Sequence, residues 1–110
     1  MREIYERSAR TFTVSFLDAD NALVAPSNAR WKLWNITANE EVVAWTVISA
    51  PTTSESITIN ASYNKIRTGR DKEIMELVVQ SDYDDEDSQQ TKVTRYAIKN
   101  VVGVNDSDGT

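Results

Sequence analysis

Carboxylates are the side chains of this sequence whose spacing most suggests chemistry. The run 82–87, Asp-Tyr-Asp-Asp-Glu-Asp, places five carboxylates within six residues. Hard cations such as Ca²⁺ prefer oxygen ligands at close spacing, but an EF-hand loop also needs a glycine and a later glutamate, which this run lacks. We therefore favour a solvated hairpin loop over a cation site, and cation binding by the run stays an alternative.

Other carboxylates offer weaker chemical patterns. Asp18 and Asp20 lie close enough for a shared cation, but a turn explains them better, because Asp side chains hydrogen-bond their own backbone. Glycoside hydrolysis needs two carboxyl groups roughly 5 to 9.5 Å apart across a cleft. Candidates for such a pair are Glu40, Glu41, Glu55, Asp71, Glu73 and Glu76. A small all-β domain has little room for the cleft, so we expect no enzyme and assign no catalytic, metal or cofactor-binding residue.

The residue types that are absent exclude several chemistries within this chain. Its 110 residues include neither cysteine nor histidine. Disulfides, thiolate zinc sites and Ser-His-Asp or Cys-His mechanisms are therefore excluded. The net charge of −5, with basic residues scattered among acidic ones, argues against nucleic acid as a partner. We also expect no membrane partner and a soluble protein made in a cytoplasm, because no apolar run approaches the ~20 residues of a membrane helix and the N-terminus lacks a signal sequence.

Alternating apolar and polar residues indicate the elements that must position any site. Strands are predicted at 10–17, 29–37, 41–48, 55–60, 72–82 and 91–102, with a short edge piece near Leu23 and a helical turn within 61–66. Six or seven strands with regular turns favour an all-β, immunoglobulin-like β-sandwich. We expect the sandwich domain to span 10–102, after an N-terminal arm at 1–9 and before a flexible acidic tail at 103–110.

The strand that follows Pro26 separates its side chains onto two faces. Trp31 and Leu33 share the face expected to fill the core, whereas Arg30, Lys32 and Trp34 share the other. A tryptophan on this face anchors a protein interface, stacks on a sugar or simply covers the second face of the sheet, and we favour the interface over the sugar site.

A third tryptophan, Trp45, alternates with Val43 and Val47 and is therefore predicted to lie in the core. The interface candidates outside the core are Ile4, Tyr5, Arg30, Lys32, Trp34 and Tyr63. A carbohydrate-binding module that uses Trp34 with Tyr63 or another aromatic residue is the alternative from another functional class.

Three segments carry a resemblance to a known group of proteins. They are FTVSFLDADNALVAPSNARWKLWN, TTSESITINASYNKI and TRYAIKNVVGV, and the likeness covers about residues 10–104. In these segments the chain resembles the small immunoglobulin-like virion accessory proteins of tailed bacteriophages. It departs from that pattern at Asn21-Ala22, where a glycine is expected, but asparagine tolerates the same backbone region.

The resemblance implies a function without an active site or cofactor. It implies a virion structural protein that is made in the host cytoplasm and binds phage coat or connector subunits, with a homo-oligomer as a further possibility. Within this group we favour a capsid cement or decoration protein, with a head–tail connector or tail accessory protein as the alternative.

Overall fold

The computed structural model describes residues 2–17, 20–83 and 88–100, which form an all-β sandwich. Its strands are β1 (Arg2–Tyr5), β2 (Arg10–Ser15), β3 (Asn28–Asn35), β4 (Glu40–Val47), β5 (Ser54–Ile59), β6 (Lys72–Tyr83) and β7 (Ser88–Lys99). A 3-10 turn at Ala61–Tyr63 lies within the predicted helical turn. The predicted all-β class and the short helical turn are thus confirmed, and the seventh strand is β1 rather than the predicted edge piece near Leu23, which makes only an isolated bridge with Leu17.

The seven strands form two sheets. The larger has the order β1-β7-β6-β3-β4, and the smaller contains β2 and β5. Every pairing is antiparallel except that of β1 with β7, which is parallel. This is an immunoglobulin-like arrangement, in which the β6–β7 hairpin and β3 form the centre of one sheet and β2–β5 lies across from them.

Alternation along β6 builds the core from the larger sheet. Its inward-facing Met75, Leu77 and Val79 are buried, as is Leu33 on the neighbouring strand β3. The two-stranded sheet and its flanks contribute the buried side chains of Val14, Phe16, Ile57 and Ile59. Burying side chains of this size stabilises the fold by about 1.5–3 kcal/mol each, so this layer holds the two sheets together.

Irregular pairing between β3 and β4 overturns one prediction from the sequence. The register shifts on both sides of Leu33, so Val43 lies opposite Leu33 while Val47 lies opposite Arg30 on the other face. An extra residue in one strand reverses the face of every residue beyond it. The prediction that Trp45 fills the core in phase with Val43 and Val47 is therefore wrong, and Trp45 lies on the same face as Arg30.

The N-terminal segment is an edge strand of the larger sheet rather than an arm separate from the sandwich. Arg2–Tyr5 pairs with the end of β7, and Ile4 packs against the core. Asp18, residues 84–87 of the acidic run and the predicted tail 103–110 lie outside the described residues.

A fully buried carboxylate, that of Glu73 at the start of β6, is surrounded by hydrogen-bond donors. Asn35 Nδ2 donates at 2.8 Å, the Arg67 N–H at 3.0 Å, and both the N–H and the hydroxyl of Thr68 at 2.5 Å. The side chain is 0% exposed. These donors attach the loop that follows β5 to the start of β6.

The same donors determine the ionisation of Glu73. Burial alone raises the pKa of this carboxyl group, but the bonds from Thr68, Arg67 and Asn35 together outweigh it and hold the pKa below 4.5. A carboxylate that accepts several such bonds is stabilised in its charged form.

The buried side-chain amide of Asn64 forms a second hydrogen-bonded network at the same end of the sandwich. Asn64 Nδ2 donates to the Ser8 carbonyl at 2.8 Å, and Asn64 Oδ1 accepts from the Tyr96 hydroxyl at 2.6 Å. The Arg7 N–H donates to the Asn64 carbonyl at 2.5 Å. One residue thus joins the β1–β2 turn, the loop after the 3-10 turn and β7.

Replacing Glu73 by glutamine tests the buried network. The side-chain amide of glutamine would place its own N–H donors next to the backbone N–H donors of Arg67 and Thr68. We therefore expect Glu73→Gln to lower the free energy of unfolding by about 2–4 kcal/mol. Urea denaturation at pH 7 measures this loss. Glu76→Gln is the matched control, because Glu76 pairs with Arg95 at the surface and its loss should cost under about 1 kcal/mol.

The pH dependence gives the Glu73 network a second test. The folded-state pKa lies below the ordinary 4.5, so the stability from Glu73 is present above pH 4.5 and is lost as the pH falls through the folded value. The difference in unfolding free energy between wild type and Glu73→Gln should stay constant from pH 6 to 8 and narrow below pH 4.5. A difference that persisted unchanged throughout the acid range would contradict this role.

Candidate functional site

The candidate site is the face of the larger sheet that points away from β2–β5, called here the outer face. Among the described residues, no third layer covers it. The contacts of Trp45 with Arg30 and Lys32 place it on this face. From edge to edge, the strand registers place these further side chains there: Val47; Arg30, Lys32 and Trp34; Ile74, Glu76, Val78 and Gln80; Val93, Arg95, Ala97 and Lys99; Glu3 and Tyr5.

The outer face exposes large apolar side chains on three of its strands. Val47 is 73% exposed on β4, Tyr5 60% on β1 and Val93 53% on β7. Between them, Val78 and Ala97 are buried by their neighbours on the same face. Apolar side chains are thus exposed at both edges of the outer face and near the middle of β7.

Beside Val47, two cations lie over one indole ring. The Arg30 guanidinium carbon is 4.1 Å from the centroid of Trp45, and Lys32 Nζ is 4.9 Å from it. Arg30 also donates to Gln80 Oε1 from Nε at 3.1 Å and from Nη2 at 2.8 Å. We call Arg30, Lys32, Trp45 and Gln80 the basic–aromatic cluster.

The contacts within the basic–aromatic cluster fix the orientation of the Arg30 guanidinium group. Stacking on the indole and the two bonds to Gln80 restrict the rotamers of Arg30. Nη1 is left as a donor without a partner in the described part of the chain. A carboxylate or a backbone carbonyl of another molecule is the group that such a donor recognises best.

Charged residues also meet at the opposite edge of the outer face. Glu3 on β1 accepts from Lys72 Nζ at 2.9 Å and lies 3.5 Å from Lys99 Nζ. Lys99 Nζ in turn lies 5.6 Å from the centre of the Tyr5 ring. The hydrogen bond from Lys72, together with the charges of both lysines, lowers the pKa of Glu3. This group of charges holds β1 against β7.

The structure brings together four of the six interface candidates. Arg30, Lys32 and Trp34 share the outer face near β4, and Tyr5 shares it at the β1 edge. Ile4 instead packs against the core, and Tyr63 lies in the 3-10 turn.

Sequence reasoning missed three members of this surface. Trp45 and Val47 were assigned to the core because a bulge leaves no signal in a pattern of alternating residues. Gln80 is recognised only through its register opposite Arg30 on β3.

Five of the acidic candidates make structural contacts. Neighbouring side chains bind three of them: Arg67 binds Glu40, Thr52 binds Glu55 and Arg95 binds Glu76. Glu73 is buried within its own donors, and Asp82 accepts from Gln89 at 3.0 Å. The described residues contain no group of three or more acidic, histidine or cysteine side chains placed to hold a metal ion.

The outward side of the two-stranded sheet differs sharply from the outer face. Its cross-strand pairs, all exposed, are Thr11 with Thr58, Thr13 with Ser56 and Ser15 with Ser54. One bond of 3.1 Å joins the hydroxyls of Thr11 and Thr58. This side therefore carries small uncharged hydroxyls and neither aromatic nor charged groups.

Comparisons with known proteins identify no relative of this chain. No family model matches the chain, and neither a curated protein nor a solved structure shows significant similarity to it. In the part of the chain that the structure describes, no helix has the length and apolar character needed to cross a membrane.

Iodide quenching of tryptophan fluorescence tests the position of Trp45. The two cations beside its ring attract an anionic quencher, so we expect Trp45→Phe to remove most of the quenching by iodide at low ionic strength, an effect that added salt screens. Acrylamide, which is uncharged, is the control quencher. If Trp31→Phe removed the iodide effect and Trp45→Phe left it intact, the assignment of Trp45 to the outer face would be wrong.

Proposed function

We propose that this chain is a non-enzymatic structural protein that binds other protein subunits through its outer face. Its proposed place is the virion of a tailed bacteriophage, as a capsid cement or decoration protein on assembled coat subunits. The observation that carries the binding role is the basic–aromatic cluster beside the exposed Val47 on a sheet face that no described element covers.

The residue types on this face favour a protein partner. Tryptophan, tyrosine and arginine are enriched where protein interfaces gain most of their binding energy. Arg30 is already held by Trp45 and Gln80, so it loses little rotamer freedom when a partner binds. A fixed cation next to an apolar side chain suits a coat surface that offers a carboxylate beside an apolar residue.

The dimensions of the outer face suit a modest contact that is repeated many times. Five strands at ~4.8 Å spacing make it about 20 Å wide, and its longest strands are about 40 Å long. The face is therefore no larger than the roughly 800 Å² per partner of a standard interface. Many copies with such contacts across neighbouring subunits would stabilise a shell through avidity, without any single contact being tight.

The virion assignment rests on the resemblance of residues 10–104 to phage accessory proteins, and the sandwich topology is compatible with it. A head–tail connector or tail accessory protein would use the same outer face on a different subunit. Carbohydrate binding has less support, because Arg30 and Lys32 lie over the ring of Trp45, and Tyr63 belongs to the 3-10 turn rather than to the sheet that carries Trp34.

Co-sedimentation with particles of the phage that encodes the chain tests this proposal. We expect the chain at high copy number in purified particles, and we expect Val47→Asp and Lys32→Glu each to lower its binding to particles at least about tenfold. Thr13→Asp, on the hydroxyl side of the small sheet, and Lys65→Glu, in the loop after the 3-10 turn, are controls with the same changes of charge.

The outcomes separate the alternatives. Imaging of particles that retain the chain distinguishes the capsid surface from the connector and the tail. Absence of the chain from intact particles would overturn the virion role, and equal loss of binding in Val47→Asp and Thr13→Asp would overturn the role of the outer face.

A further inference from the structure

The strand β1 is attached to the sandwich by a short backbone ladder with β7, one apolar side chain and a group of surface charges. It pairs with only the last four residues of the twelve-residue strand β7. Of its four residues, only Ile4 packs against the core. Short edge strands with so little burial lie at the low end of local stability in a fold.

The site that β1 occupies on β7 recognises a specific chemical pattern. Lys72 and Lys99 lie directly opposite each other on adjacent strands, and like charges in that position repel. Glu3 pairs with both lysines and offsets part of their repulsion, while Ile4 packs against the core one residue later. The β7 edge therefore accepts a parallel extended segment with a carboxylate followed by an aliphatic residue.

The connection between β1 and β2 holds a residue in an unfavourable backbone conformation. Arg7 has a φ of 62°, in the left-handed region that a residue with a side chain rarely adopts. The turn is maintained by two backbone bonds, from Glu6 N–H to the Lys99 carbonyl and from Arg7 N–H to the Asn64 carbonyl. An extended connection would release this conformation.

We propose that β1 is exchanged between two copies of this chain, so that Arg2–Tyr5 of each copy occupies the β7 edge of the other. The second copy offers the identical segment, so every contact of β1 with β7, Lys72 and Lys99 is made again in the exchanged dimer. The four residues 6–9, when extended, add about 13 Å of reach.

The balance between the two forms follows from these contacts. The exchanged form differs from the closed monomer mainly in the released turn at Arg7 and in the entropy of association, so concentration decides between them. This inference concerns the isolated chain in solution and does not depend on the proposed virion role.

Cysteine cross-linking distinguishes the two forms, since the chain has no cysteine of its own. Tyr5 and Lys99 are register partners, within reach of a short bis-maleimide. A mixture of Tyr5→Cys and Lys99→Cys chains, incubated at high concentration, should yield a cross-linked heterodimer. Val93→Cys replaces Lys99→Cys in the control mixture, because it lies on β7 beyond the part that pairs with β1.

The double variant with Tyr5→Cys and Lys99→Cys completes the test. Interchain products that increase with protein concentration support exchange. Cross-links confined to single chains at every concentration, or a heterodimer yield no higher than that of the Val93→Cys mixture, would overturn it.

Two substitutions of Arg7 should shift the equilibrium in opposite directions. Glycine adopts the left-handed conformation freely, so Arg7→Gly should favour the closed monomer and lower the dimerisation constant roughly tenfold. Proline cannot adopt it and lacks the N–H that bonds Asn64, so Arg7→Pro should raise the constant. Sedimentation equilibrium measures both, and equal constants for wild type and both variants would show that the turn does not control exchange.

Discussion

The hydrogen bonds that converge on the Glu73 carboxylate fix three separate parts of the chain at once. Through Asn35 they hold the end of β3, and through Arg67 and Thr68 they hold the loop that follows β5. The backbone of the next residue, Ile74, is bonded to the turn between β3 and β4. Because successive residues of a strand face opposite sides, an inward Glu73 also places Ile74 and Glu76 on the outer face, and a slip of one residue would exchange the two faces.

The sequence predicts the sandwich well where alternation is regular. Strands β2, β3 and β5 and their inward residues follow from apolar residues at every second position, as Phe12, Val14 and Phe16 illustrate, whereas β6 follows from its long apolar run. It fails on β4, where bulges exchange the faces of Val43 and Val47.

Long-range partners set the other limits of prediction. Strand β1 has two adjacent apolar residues and no alternation, so only its contact with β7 identifies it as a strand. The buried Glu73 and Asn64 look like surface residues until the loop that encloses them is placed. Of the candidate surface, Arg30, Lys32 and Trp34 are predictable because they share a regular strand. The positions of Trp45 and Gln80 are not predictable from the sequence. The bulges of β4 determine the face of Trp45, and the register of β6 against β3 places Gln80 opposite Arg30.

The two outward sides of the sandwich differ in the chemistry that they offer a partner. Threonine and serine hydroxyls on β2 and β5 bond each other or water, as Thr11 and Thr58 do, and bury little apolar area. The outer face of the larger sheet combines aromatic, aliphatic and cationic groups around Trp45, and its most exposed members would lose much water on contact. Binding energy depends on groups that gain from desolvation, which is why the larger sheet, rather than the smaller, is the side suited to a partner.

The edges of the larger sheet are protected in unequal ways, and this connects the fold to assembly. Bulges distort β4, and a distorted edge pairs poorly with another strand. The β7 edge is regular and is covered by β1 over only its last four residues, where Lys72 and Lys99 require a carboxylate. The β7 edge is therefore protected by β1, a short and mostly polar strand. Because β1 leads into a turn with an unfavourable backbone conformation, this protecting segment can be removed. The pairing of β1 with the β7 edge keeps the monomer closed. The same pairing lets β1 of a second copy occupy that edge instead.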